Sequence, residues 1–100
     1  MVLSSVTIDE QALEKLCRRN GVRKLSVFGS FARGEQRADS DIDLIVEFSK
    51  PKGLLGLLEL ENQLSDLLGR KVDLLTEQSV SPYIRDSIRR DLRVLFDAAR

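Results

Sequence analysis

Asp41 and Asp43 stand two positions apart at the mouth of the apolar run Ile42-Asp43-Leu44-Ile45-Val46. In an extended strand alternate side chains share a face, so the two carboxylates point the same way. Like charges held together repel one another and cost stability unless a cation lies between them. A divalent ion meets that need, and hard oxygen ligands suit magnesium. Upstream, Gly29-Ser30 reads as a turn between a strand ending at Phe28 and a short helical turn through Arg33. Such a turn offers backbone N–H groups and a hydroxyl to a phosphate. Metal plus phosphate points to nucleotide chemistry. Each piece has a plainer reading too: the aspartates as solvated loop and edge-strand residues, and Gly29-Ser30 as an ordinary turn. Arg33 is placed to meet phosphate oxygens or a neighbouring carboxylate, with a structural or electrostatic role favoured. Ser40 is expected to cap or orient the loop that carries Asp41.

The elements that must position these residues follow from periodicity and punctuation. Thr7-Ile8-Asp9-Glu10 reads as a capping box opening a first helix, whose apolar positions Ile8, Ala12, Leu13, Leu16 and Cys17 recur at helical spacing until Asn20-Gly21 ends it. Val22 to Phe28 reads as a first strand and Gly34 to Ser40 as a polar loop. Ile42 to Phe48 reads as a second strand. Pro51-Lys52-Gly53 breaks the chain before a leucine-rich helix from Leu54 to Leu68, and Gly69-Arg70 stops that helix. A third strand is expected from Lys71 to Leu75. Ser81-Pro82 pairs an N-cap with a proline in the first turn of a last helix, with Tyr83, Ile84, Ile88, Leu92 and Leu95 as its buried stripe. A short final strand over Arg93 to Phe96 is an equally fair reading. The order implies one small mixed β-sheet covered by helices on one face, an α/β (α+β) fold with the opposite face more open. Leu54, Leu55 and Leu58 widen the apolar arc of the leucine helix beyond one core face; they are either a few exposed leucines or part of a protein-binding patch. Arg85, Arg89, Arg90 and Arg93 give the last segment a basic side.

Composition narrows the function classes. One hundred residues suffice for one domain, 1–100, with a single core. Acidic and basic residues balance at 16 each, so no net charge draws the chain to nucleic acid or membrane, and direct nucleic-acid binding is not expected. No apolar run approaches a membrane span and the N-terminus lacks a signal-peptide layout. One cysteine, Cys17, allows no internal disulfide, which fits a reducing cytoplasm. The chain has no histidine, which removes histidine zinc sites and every nucleophile–histidine pair.

The run Gly29-Ser30-x-Ala32-Arg33-Gly34 followed by Ser40-Asp41-x-Asp43-Leu44 resembles the signature of the DNA polymerase β-type nucleotidyltransferase superfamily, and within it the minimal nucleotidyltransferase (MNT) group, small proteins often paired with a HEPN-domain partner. The resemblance spans most of the chain and asks for a third carboxylate on a later strand, which Asp73 supplies within Lys71-Val72-Asp73-Leu74-Leu75-Thr76. An aspartate so flanked is costly unless its strand face is open or occupied. The resemblance implies a polymerase β-like core in which Asp41, Asp43 and Asp73 are catalytic and hold two magnesium ions, while Gly29, Ser30, Arg33 and Ser40 bind ATP. It implies attack of a hydroxyl on the α-phosphate with pyrophosphate leaving. It further implies an antitoxin that transfers AMP to a tyrosine hydroxyl of a HEPN ribonuclease toxin. Two other functions are weighed beside it: a module that neutralises its partner by contact alone, and, last, nucleotidyl transfer to a small molecule.

Overall fold

The computed structural model describes residues 2–3, 6–37 and 40–99. Two short strands, β1 (Val2–Leu3) and β2 (Val6–Thr7), pair antiparallel ahead of helix α1 (Glu10–Arg19). The chain continues through β3 (Val22–Phe28), the single helical turn α2 (Ser30–Arg33), β4 (Ile42–Phe48) and α3 (Leu54–Leu68). It ends with β5 (Val72–Thr76), a 3-10 turn at Glu77–Ser79, α4 (Pro82–Asp91) and β6 (Arg93–Asp97). The main sheet has the order β5-β4-β3-β6, with β4 and β5 parallel and the other pairs antiparallel. This is the mixed sheet with packed helices expected from the sequence.

Alternation along the central strands decides which face is dry. Leu25 and Val27 of β3, Ile42, Leu44 and Val46 of β4, and Val72 and Leu74 of β5 are buried on one face. Leu13, Leu16 and Cys17 of α1 and Leu60, Leu64 and Leu68 of α3 join them in one apolar cluster, and Phe31 of α2 plugs one end. α1, α2 and α3 therefore share the dry face. α4 departs from that arrangement: Ile88 and Leu92 face Ser26 and Ile45, so this last helix leans over the opposite face.

Local chemistry explains the element ends. Asp9, not Thr7, caps α1: its carboxylate accepts from the Ala12 N–H at 3.1 Å, while Thr7 belongs to β2. The capping box expected two residues earlier loses to the pairing of β1 with β2, strands too short to show periodicity. α3 stops at Gly69, which takes φ +69° and donates its N–H to the Ser65 carbonyl at 2.9 Å. Ser81 caps α4 with Pro82 in its first turn. The stripe expected along this last segment is corrected in part. Ile88 is buried, but Tyr83 is 96% exposed and Ile84 half exposed, so the first turn of α4 contributes no buried stripe. Leu95 is buried from β6 instead, so the helix and the final strand both form.

Candidate active site

Asp43 and Asp73 come together on the open face, with Asp41 close enough for its charge to act on Asp43. β4 and β5 lie side by side in a register that makes Asp43 and Asp73 direct partners, and Asp43 also faces Phe28 of β3. Asp41 sits immediately before β4. Alternation dictates this: Ile42 and Leu44 go to the core, so Asp43 points away from it, and Val72 and Leu74 do the same for Asp73. Asp73 is exposed, so its apolar neighbours do not bury it.

The electrostatics record the crowding. The Asp43 carboxyl is pushed above the ordinary aspartate value, first by partial burial, then by the charges of Asp73 and Asp41; Arg33 opposes the shift. Lys71 approaches Asp41 to 3.7 Å, a loose and exposed pair. Among the described residues no three carboxylates already form a cage for a metal ion. The donor set nevertheless fits magnesium. All three candidates are hard carboxylates, Asp73 and Asp41 both act on Asp43 as like charges, and a cation beside Asp43 would relieve that repulsion.

Gly29 shapes the site at close range. It adopts φ +74° and ψ −151°, a conformation open in practice to glycine alone. A Cβ there would lie 2.6 Å from Asp43 Oδ2. The absent side chain is what lets the Asp43 carboxylate stand against the turn that opens α2. Ser30 is the first residue of that helical turn, and Gly34 ends it at φ +72°. Arg33 is held by two carboxylates: its Nε donates to Glu35 and an Nη to Asp91, each at 3.0 Å. It thus ties α2 to the end of α4 while adding positive charge near Asp43. Ser40 does what the sequence led us to expect: its hydroxyl accepts from the Arg37 N–H at 2.7 Å, closing the turn ahead of Asp41. Ala38 and Asp39 of the polar loop lie outside the described residues.

Several positioning residues were missed. β5 is an edge strand, and α3 covers its free donors: the Val72 N–H donates to Ser65 Oγ at 3.0 Å and the Leu74 N–H to Glu61 Oε2 at 2.9 Å. Both neighbours of Asp73 are thereby anchored. Glu61, Ser65 and Asp91 carry no sequence signal, because their partners lie 7 to 58 positions away.

Comparison with known proteins agrees with this geometry. The model of the nucleotidyltransferase domain matches residues 9–95. The chain belongs to the nucleotidyltransferase domain family. The chain is 42% identical over 79 residues to the protein adenylyltransferase MntA of Thermococcus cleftensis, covering 79% of this chain and 80% of that one. It is 53% identical over 72 residues to a Methanocaldococcus jannaschii protein that carries a provisional name as a protein adenylyltransferase, 71% of this chain and 74% of that one. Among solved structures, a toxin–antitoxin complex with AMP-PNP superposes with a TM-score of 0.75 at 27% identity, covering 91% of this nucleotidyltransferase and 75% of that chain. No helix among the described residues is long and apolar enough to cross a membrane.

Proposed function

We infer that this nucleotidyltransferase is a magnesium-dependent protein adenylyltransferase, a single domain working in the cytoplasm. It transfers AMP from ATP to a hydroxyl of a partner protein, a HEPN-type ribonuclease toxin, and so acts as its antitoxin. The observation that carries this reading is the register pairing of Asp43 with Asp73 on the open sheet face, directly beside the Gly29 turn. The identity to MntA and the likeness to a toxin–antitoxin structure holding an ATP analogue support the acceptor and the nucleotide.

Asp41, Asp43 and Asp73 would hold magnesium, which supplies charge neutralisation at the reacting phosphate. The Gly29-Ser30 turn receives the triphosphate, with backbone N–H groups and the Ser30 hydroxyl as donors. Asp73, exposed on the strand next to Asp43, accepts the proton of the incoming hydroxyl. The new bond joins the acceptor oxygen to the α-phosphorus, the bond from that phosphorus to the bridging oxygen breaks, and pyrophosphate leaves. Arg33 adds positive charge at the same end of the sheet, and Ser40 keeps the Asp41 loop closed. A docked partner that presents its own hydroxyl brings the acceptor to the reacting phosphate by proximity.

A second reading, neutralisation by contact alone, is favoured by one observation: Leu54 and Leu55 are 70% and 82% exposed at the start of α3, with Leu58 beside them. Intact mass spectrometry of the partner decides between them, after incubation with this protein, magnesium and each nucleoside triphosphate in turn. A mass gain of one or more AMP units that is absent with Asp43→Asn is the expected result. An unmodified partner that is still silenced in a stable complex would refute the catalytic reading in favour of contact.

A further inference from the structure

A cavity of about 220 Å³ opens between α4 and the open face of the sheet. Ser26 and Ile45 lie on its sheet side, and Val80, Ile88 and Leu92 line it opposite. Ile45 is two residues beyond Asp43 on the same strand face, about 7 Å along the strand, which is the reach of a ribose. The side chain of Ser26, small and itself buried, leaves depth where a larger residue would fill it. Lys24, Glu47, Glu77 and Arg89 supply charged groups of both signs around the cavity. Arg85 lines it from α4, and its Nε is buried with no hydrogen-bond partner among the described residues. A guanidinium N–H in that state lacks a partner that a ligand can provide.

We propose that this cavity is the subsite for the purine base of the nucleoside triphosphate, with Arg85 Nε donating to a ring nitrogen and the apolar residues beneath and behind α4 gripping the faces of the ring. The assignment rests on the nucleotidyltransferase reading above and deepens it. A cavity of this size holds one ring system, well short of the volume that takes a whole drug-sized ligand. A purine with an exocyclic amine offers ring acceptors to Arg85 and a donor to Glu47 or Glu77. Glu47 is already steadied by Arg23 at 2.7 Å. The acceptor's phenol ring fits less well. Its one oxygen must lie at the phosphorus, so nothing would remain to pair with Arg85.

The test is a calorimetric titration of the full chain, with magnesium, against ATP, CTP and inorganic tripolyphosphate, for the parent and Arg85→Met. Tripolyphosphate shares the phosphates of ATP but has no nucleoside. The expected result is that Arg85→Met weakens ATP about tenfold, narrows the preference for ATP over CTP, and leaves tripolyphosphate within about twofold. Val80→Phe, which fills the cavity from a loop, is expected to do the same. Equal weakening of ATP and tripolyphosphate would make Arg85 a phosphate contact and overturn the assignment. Unchanged ATP binding with lost modification of the partner would give the cavity to the acceptor side chain, which also overturns it. A parent protein that binds neither ATP nor tripolyphosphate would instead sink the nucleotidyltransferase reading itself, and the subsite with it.

Discussion

Replacing Asp43 with asparagine removes a charge at the centre of the site and leaves its volume almost unchanged. Asp43 and Asp73 are direct cross-strand partners on one face, and Asp43 is partly buried. Directly opposed like charges in a sheet destabilise by about 0.2–1 kcal/mol. Partial desolvation of Asp43 adds to this, while the exposure of Asp73 lets water screen the pair, so about 1 kcal/mol is the expected gain for Asp43→Asn without metal. In a domain of this size that raises the melting temperature by about 5 °C. The sign with pH follows from the direction of the shift. The folded carboxyl binds its proton more readily than the unfolded one, so the penalty is full at neutral pH and disappears as pH falls through the raised value. The advantage of asparagine therefore narrows toward the ordinary aspartate range near about pH 3.9. If the carboxylates hold magnesium as proposed, the ion is expected to reverse the order: at ten times its dissociation constant it would stabilise the parent by about 1.4 kcal/mol and the variant by less. Scanning calorimetry in EDTA, across pH and then with magnesium, reads all three. A variant that melts below the parent in EDTA at neutral pH would show that the Asp43 charge is held by favourable partners, and the repulsion argument would fall.

Gly29→Ala places a methyl group 2.6 Å from Asp43 Oδ2 on a backbone at φ +74°, and is expected to cost about 1–3 kcal/mol and to abolish transfer; full activity at an unchanged melting temperature would show the turn to be incidental. Leu58→Glu, at a position 43% exposed, should weaken binding of the toxin about tenfold in a pull-down or calorimetric titration while the melting temperature stays within a few degrees. Undiminished binding, or loss of the fold, would return that end of α3 to plain packing. Cys17 is fully buried, and burial pushes its thiol from 9.0 to about 12, so a thiol reagent at pH 8 should label it only as fast as the protein unfolds. Immediate stoichiometric labelling of the native protein would contradict that burial.

The parts of the fold legible in the sequence are those whose signal is local. β3, β4 and α3 fall where alternation, Pro51-Lys52-Gly53 and Gly69 place them, and α4 starts at its Ser81-Pro82 signal. Asp43 and Asp73 were legible for the same reason, since alternation on an extended strand sends each away from the apolar residues beside it, whereas Asp41 lies just before β4 and outside that rule. β1 and β2 were not, because two residues carry no period. Nor was the direction of α4: its apolar positions suit a helix on either face. What decides is that Ser26 and Ile45 leave a half-apolar stretch of the open face for Ile88 and Leu92 to meet. The partners of Arg33 stayed hidden too, because Asp91 is 58 residues away and only the docking of α4 brings it near.

That docking divides the open face into two unlike halves, and the division accounts for the shape of the site. Near the start of β4 the carboxylates hold their face bare, since covering Asp43 and Asp73 with protein would bury charge without a partner. Two residues further along, Ile45 replaces an aspartate and the face becomes fit to be covered, so α4 covers it. The Arg33–Asp91 pair stands where the two halves meet, with Arg33 on the carboxylate side and Asp91 at the end of the covering helix. A triphosphate that draws Arg33 toward its own oxygens must compete with Asp91 for the guanidinium.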